Sequence, residues 1–273
     1  DFLPRSKTVI VSRTMHKGYK FRIYPTKDQK ILLAKAFGCN RVVWNYFLNQ
    51  RKEFYLQNKN EKKRGLNYND NSKSLTQLKK TIEFSWLQEV VAQCLQQSLR
   101  DLDVAYSKFF RKQTQFPQFK SRHDRQSCRF PQDFGFSGDA LTLPKLGRIK
   151  IVGHRKFGDN AKILSVTVSK NKAGRYFASL LVEENDFKPL PKTDKTVGID
   201  MGLKDFATLS NGERIKNPKI AWKQRKKLVF LSRSLSRKKK DSRNREKARI
   251  LIARKHEKIV NRKNDFTHKL TRR

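Results

Sequence analysis

The sequence predicts a multidomain α+β protein: a small β-barrel carrying an inserted helical module, followed by a second α/β unit that ends in a basic helical hairpin. Three observations predict it. Apolar residues recur with a period near 3.6 over residues 26–112. They alternate with a period of two from about Arg129 to Glu184. A Pro-bearing stretch, "DFKPLPKTDK", then separates this part from "TVGIDMGLKDFATLSNGERIK" and a basic tail. The two periods are those of a helix face and of a half-buried strand.

The N-terminal strand is "KGYKFRIY", residues 17–24. Tyr19, Phe21 and Ile23 share one face, Lys20 and Arg22 the other, and Pro25 ends it. Thr26 is placed to cap the helix that follows. Its stripe runs through Leu32, Leu33, Ala36 and Phe37, then Val43, Trp44, Phe47 and Leu48, with a break expected near Gly38. "NEKKRGLNYNDNS" reads as a polar loop, a second helical stretch runs from about Leu75 to Lys80, and "SWLQEVVAQCLQQSLRDLDVAYSKFFRK" supplies a third. In that third helix Val91, Leu95, Leu99, Leu102 and Tyr106 fall on one face.

"FPQFKSR" reads as extended and basic. "LTLPKLGRIKIVG", "ILSVTVSK" and "RYFASLLVE" are short strands, the last two joined by a turn through Asn171 to Gly174. Val166 and Val168 face one way; Tyr176, Ala178, Leu180 and Val182 line one side of the next strand. Strands of this kind with Gly and Pro between them suggest a small barrel or meander, completed by the strand at 17–24. The segment from Lys219 holds 22 Lys and Arg in 55 residues, with Leu228, Leu231, Leu235, Ala248, Leu251 and Ile259 keeping a helical rhythm. "RKKKDSRNR" interrupts it, giving a long basic hairpin; a solvated, charge-rich coil is the other reading.

Composition narrows the partners. The 273 residues carry 64 Lys and Arg against 24 Asp and Glu, a net charge of +40, and 11% are aromatic. Such charge repels the compact state and calls for a polyanion. Aromatics interleaved with basic residues favour nucleic acid. No apolar run approaches the roughly 18 residues of a membrane span, so no membrane partner is expected. The three cysteines form neither a CxxC pair nor an even disulfide set, which fits a reducing, intracellular setting. Residues 1–14, which precede the first Met at Met15, are expected to be an unassigned leader or scar.

Candidate site residues follow. In "KTVGID" Val197 and Ile199 share one face, and Thr196, Gly198 and Asp200 the other. Gly198 and Gly202 leave room beside the Asp200 carboxylate. A hard oxygen ligand on a rigid strand with space for a phosphate suits a divalent metal. An Asp capping a turn at a strand end is the bland alternative, and Asp205 is the expected turn-capping acid. Asn211-Gly212 is a hairpin turn. Glu246, Glu257 and Asp265 are explained by pairing with Lys or Arg one helical turn away. Lys17, Lys20, Arg22, Arg41, Arg51, Lys120 and Arg122 are candidate phosphate contacts, or simply solvated surface. Tyr19, Phe116 and Phe119 could stack on bases, although a place in the core suits each better.

Several ordered segments resemble the TnpB family, the transposon-encoded RNA-guided DNA endonucleases related to type V CRISPR effectors. "YKFRIYPTKDQ" resembles that family's opening strand and first helix, and "NRVVWNYFL" and "SWLQEV…CLQQSLRDL" its recognition helices. "FPQFKSR" and "LPKLGRIK" resemble its wedge barrel, "VGIDMGLKDFATLSNG" its first RuvC motif, and "RKNDFTHKL" the segment before the second. The resemblance implies a wedge barrel with its first strand at 15–25, the recognition module at 26–112 and the rest of the barrel at 113–190. Residues 191–273 would then begin a ribonuclease H-like (RuvC) domain.

It also implies a guide RNA derived from the transposon end, a double-stranded DNA target, and a cytoplasmic, nucleoid-associated prokaryotic protein. Asp200 would be the first of three acids holding two Mg²⁺ ions for phosphodiester hydrolysis. The second and third acids and a four-cysteine zinc element would lie beyond Arg273, so the 273 residues alone are expected not to cut DNA. The alternatives are a shortened, nuclease-dead RNA-guided binder or repressor, and a general basic RNA-binding protein without a guide.

Overall fold

A computed structural model describes residues 15–60, 65–158, 160–184, 194 and 196–272. Residues 1–14 and most of the Pro-bearing linker lie outside the described residues, as do positions 61–64 of the expected polar loop. The chain divides into two compact units, one holding the first seven strands and three helices, the other the last three strands and two helices.

The first unit opens with β1 (Met15–Tyr24) and α1 (Lys27–Gln57). Thr26 caps α1 in a capping box with Gln29, which satisfies two backbone donors at the helix start. The helix runs straight through Gly38, so the expected break is absent. Leu33, Ala36, Phe37, Asn40, Val43, Trp44, Phe47 and Leu48 keep one phase across the glycine and are all buried. A mid-helix Gly costs about 1 kcal/mol, far less than that burial returns.

Next come α2 (Tyr68–Leu78), a 3-10 stretch at Ile82–Glu89, and α3 (Ala92–Phe110). "YNDNS" is helical and not loop, because Asn67 and Asp70 form a second capping box and Asn71 is fully buried. The expected third helix divides at Val90, which is extended, and Val91 stands at the α3 N-cap. Consecutive β-branched residues favour that geometry. Leu95, Leu99 and Leu102 are fully buried, while Val91 and Tyr106 pack at the margin of the core.

The remaining strands of the unit are β2 (Gln126–Phe130), β3 (Gly135–Phe136), β4 (Ala140–Leu143), β5 (Gly147–Ile151), β6 (Lys162–Lys170) and β7 (Tyr176–Glu184). They join β1 in a seven-stranded antiparallel sheet of order β2-β6-β7-β1-β5-β4-β3, which curls into a half-barrel with β2 and β3 at its edges. As expected, the first strand completes the sheet, between β7 and β5. "FPQFKSR" is irregular and forms no strand.

One sheet face supplies Phe21, Ile23, Val166, Val168, Ala178, Leu180 and Val182 to the core shared with α1 and α3. Cys39, Cys94 and Cys128 are free thiols buried there. Arg51 is buried with them: its Nε donates to Asn71 Oδ1 at 2.6 Å, its Nη2 to Asp103 Oδ1 at 2.9 Å, and its guanidinium lies 5.0 Å from the Tyr106 ring centre. It therefore ties α1, α2 and α3 together and is removed from the set of phosphate contacts.

The second unit is a meander of β8 (Ile199–Met201), β9 (Asp205–Leu209) and β10 (Arg214–Lys216), then α4 (Ile220–Ser236) and α5 (Arg243–Leu270) packed against each other. Gly212, at φ +88°, makes the β9–β10 turn, and Asn211 Oδ1 accepts from the Glu213 N–H at 3.0 Å. Among the described residues of these strands and helices only Ala207 and Ile259 are buried.

Candidate nucleic-acid interface and acid site

The face of the seven-stranded sheet turned away from the core carries polar and cationic side chains in register. Strand pairing aligns Arg129, Thr167, Ser179 and Lys20 in one row across β2, β6, β7 and β1, and Ser127, Ser169, Phe177 and Arg22 in the next. Lys20 Nζ lies 4.5 Å and the Arg22 guanidinium 5.4 Å from the Phe177 ring centre. The aromatic ring thus holds two cations by cation–π contact. With strands about 4.8 Å apart, each row spans roughly 14 Å. Rows of this kind can take phosphates and present Phe177 to a base.

A second cationic patch lies on α1. The segment after α3 is strapped to it: Trp44 Nε1 donates to Gln118 O at 3.0 Å, Asn45 Nδ2 to Lys120 O at 2.9 Å, and Lys120 N to Asn45 Oδ1 at 2.8 Å. That strap places the Lys120 ammonium 3.5 Å from the Trp44 ring centre. Burial lowers the Lys120 pKa to about 8, and the Asp101 carboxylate opposes the shift. Lys52 lies over Phe119, which is 49% exposed. Arg122 is exposed beside the strap, and Arg41 donates to Gln126 Oε1 at 3.2 Å.

The other expected contacts have structural work. Lys17 pairs with Glu184 at 2.5 Å, and Glu184 also accepts from the Tyr19 hydroxyl at 2.5 Å. The hydrogen bonds from Lys17 and Tyr19 hold the Glu184 carboxyl below its ordinary range. Tyr19 packs edge-on to Phe157 at 4.9 Å, and Phe116 edge-on to Phe109 at 5.3 Å, so both belong to the packing. Only Phe119 of the three candidate stackers is open.

Asp200 stands in the middle of β8, exposed, paired across the sheet with Thr208, which in turn pairs with Arg214. Its carboxylate caps no turn. Nor does Asp205 cap the β8–β9 turn, where Gly202 N donates to Phe206 O at 3.4 Å and Asn217 Nδ2 to Leu203 O at 3.2 Å. A Cβ at Gly202 would come within 3.1 Å of Asp205 O, so the turn is closed around the glycine. Glu246 pairs with Arg249 and Asp265 with Lys269 along α5. No group of three His, Cys, Asp or Glu side chains able to hold a metal occurs among the described residues. A single carboxylate does not make a two-metal centre, and no such centre is assembled among the described residues.

Sequence reasoning missed the outer side of α4. Trp222 and Phe230 are 72% and 71% exposed. They border an open groove of about 1030 Å³ with Arg225, Lys226, Arg233 and Arg237. Their eight-residue spacing in "WKQRKKLVF" was the available signal. It was masked by the leucines that carry the helical rhythm.

Comparison with known proteins finds similarities along most of the chain. Residues 179–273 match the family OrfB_IS605, described as "Probable transposase", and residues 15–60 match the "Helix-turn-helix domain" of the same group. In this chain the latter segment is one strand and one unbroken helix. A "Putative RNA-guided DNA endonuclease" of Streptomyces pristinaespiralis is 40% identical over 260 residues, 94% of this chain and 63% of that protein. The "Putative RNA-guided DNA endonuclease InsQ" of Escherichia coli K12 is 34% identical over 257 residues, 93% of this chain and 62% of that protein. The chain thus spans under two thirds of the length of either. A solved Cas12f1–sgRNA–target DNA complex aligns over 91% of this chain and 76% of that one, at 10% identity and a TM-score of 0.42. No helix among the described residues is long and apolar enough to cross a membrane.

Proposed function

Since this chain belongs to the TnpB family, we propose that it is the nucleic-acid-gripping part of an RNA-guided DNA endonuclease, with the half-barrel and its helices as the wedge and recognition module and residues 191–273 as the start of a RuvC domain. The partners are a guide RNA from the transposon end and a double-stranded DNA target. Base pairing reads the target, and the protein senses backbone and helix shape. The observation that carries the reading is the pair of cross-strand rows on the outer sheet face, which set Lys20, Arg22, Arg129 and Phe177 in one register. Relatives named as RNA-guided endonucleases, similar over more than nine-tenths of this chain, support it.

In the whole protein Asp200 contributes one carboxylate to a metal-dependent centre for phosphodiester hydrolysis. Its part is that of a hard oxygen ligand on a strand whose neighbours, Gly198 and Gly202, add no side-chain bulk. Mg²⁺ is the ion this chemistry favours. The further ligands are not among the described residues, so no step is assigned to these side chains alone.

The test is guided binding. The chain is expressed with transposon-end RNA, the copurified RNA is sequenced, and binding to matched and mismatched duplexes is compared as salt rises. Retention of the matched duplex alone is expected. Equal loss of both with salt would leave only general phosphate binding and overturn the guided reading.

A further inference from the structure

We infer that the outer side of α4 is a stacking seat for a short unpaired stretch of nucleic acid, with bases on Trp222 and Phe230 and phosphates on the cations between them; this rests on the nucleic-acid reading above and adds a site to it. The helix carries two apolar sides. Leu228, Leu231 and Leu235 fall within about 60° of one another at about 100° per residue, and all three are half-buried. Gln224 shares that side and accepts from Lys255 of α5, while the Leu235 carbonyl accepts from Arg245 Nη1 at 3.1 Å. That side is the one used within the hairpin. Trp222, Val229 and Phe230 lie on the opposite side, open to solvent along the groove of about 1030 Å³.

Charge selects the occupant. Residues 220–237 hold six Lys and Arg and no Asp or Glu. Lys226 stands between the two rings both along the helix and around it, and Arg233 and Arg237 continue the row. A protein surface laid over both rings would bury Lys226 with them, and burying an unpaired charge is costly. An unpaired strand instead neutralises the cations with phosphates while its bases stack on the rings. A duplex offers the phosphates but keeps its bases paired, so it would leave the rings uncovered.

The spacing sets a length. Trp222 and Phe230 are about 12 Å apart along the axis, and the face from Trp222 to Arg237 extends about 22 Å at roughly 1.5 Å per residue. Stacked nucleotides at roughly 3.4 Å each fill it with about six or seven.

The test titrates the intact chain, labelled with 5-fluorotryptophan, with oligouridine of about seven nucleotides and with an abasic strand of equal length and charge. Fluorine NMR follows the Trp222 resonance, assigned by its loss in Trp222→Phe. Oligouridine should bind at least about fivefold more tightly than the abasic strand and move that resonance. Trp222→Ala and Phe230→Ala should each reduce the difference at an unchanged melting temperature, the double variant should remove it, and Trp222→Phe should keep it. Equal binding of the abasic strand, a Trp222 resonance that does not respond, or a base preference that survives the double substitution would overturn the seat. So would a response of that resonance only to phosphatidylglycerol vesicles, which would make α4 a membrane-surface helix, or only to protein concentration, which would make this face a contact between copies.

Oligodeoxyuridine assigns the source: weaker binding than oligouridine points to an RNA strand, and equal or tighter binding to a DNA strand. Retention of transposon-end RNA is measured in the same preparations. Retained RNA without base preference at Trp222 would sink the seat and keep the proposed function. Base preference without retained RNA would do the reverse.

Discussion

Replacing Arg51 by Ala separates a buried clasp from a phosphate contact. Three losses can be worked from the geometry. Asn71 Oδ1, in a residue with no exposure, loses its 2.6 Å donor, which costs about 1–3 kcal/mol. Asp103 loses an ion pair, but its side chain is 38% exposed and water replaces most of it, so about 0–1 kcal/mol goes there. The contact with Tyr106 adds roughly 0.5–1 kcal/mol. The sum is about 1.5–5 kcal/mol, or about 3–20 °C in melting temperature for a unit of this size.

The assay is thermal and denaturant unfolding, paired with RNA affinity as a function of salt at a temperature where both proteins are folded. The slope of log K against log salt should not change for Arg51→Ala. For Arg122→Ala it should become shallower by about 0.7–0.9, with no loss of stability. A shallower slope for Arg51→Ala with unchanged melting would refute the assignment and return Arg51 to the surface set.

Lys120 sets a pH dependence. Its folded pKa is about 8 against an ordinary 10.5, so between these values the unfolded chain binds more protons and stability rises with pH. With the head partly open to water, a gain on the order of 1–2 kcal/mol is expected from pH 8 to 10.5, read as a denaturant midpoint shift that Lys120→Met lacks. Trp222→Ala removes an exposed ring and should lower single-strand affinity by about 1–3 kcal/mol without moving the melting temperature; unchanged affinity would take α4 out of the interface. Asp200→Ala should abolish cleavage by the whole protein and leave RNA binding within twofold, whereas loss of RNA binding would sink the metal-ligand assignment.

Much of the fold was legible because burial writes itself into periodicity. The alternation in "SVTVSK" and "YFASLLVE" fixed which residues face the core, and Leu95, Leu99 and Leu102 marked the buried side of α3. Errors fell where local chemistry decides. Gly38 read as a stop, but tertiary packing on both sides carried the helix through it. "NYNDNS" read as loop because Asn and Asp favour turns, yet its Asn67 and Asp70 made the capping box that starts α2. The site was legible in residue type and not in partner. Nothing in the sequence says that Arg51 is enclosed by Asn71 and Asp103, that Lys120 lies on Trp44, or that Lys20 and Arg129 end one row. Each depends on contacts between elements far apart in the chain.

That separation has a consequence for biosynthesis. Tyr19 and Glu184, joined by a hydrogen bond across the β1–β7 ladder, are 165 residues apart. A ribosome adding about 5–20 residues per second needs roughly 8–33 s to supply the second after the first. Throughout that interval β1 has no β7 to pair with, and its Phe21 and Ile23 must be kept from other chains. β1 can pair with β7 only after β7 has emerged, so a stop in translation before residue 176 would release a chain whose β1 lacks that partner.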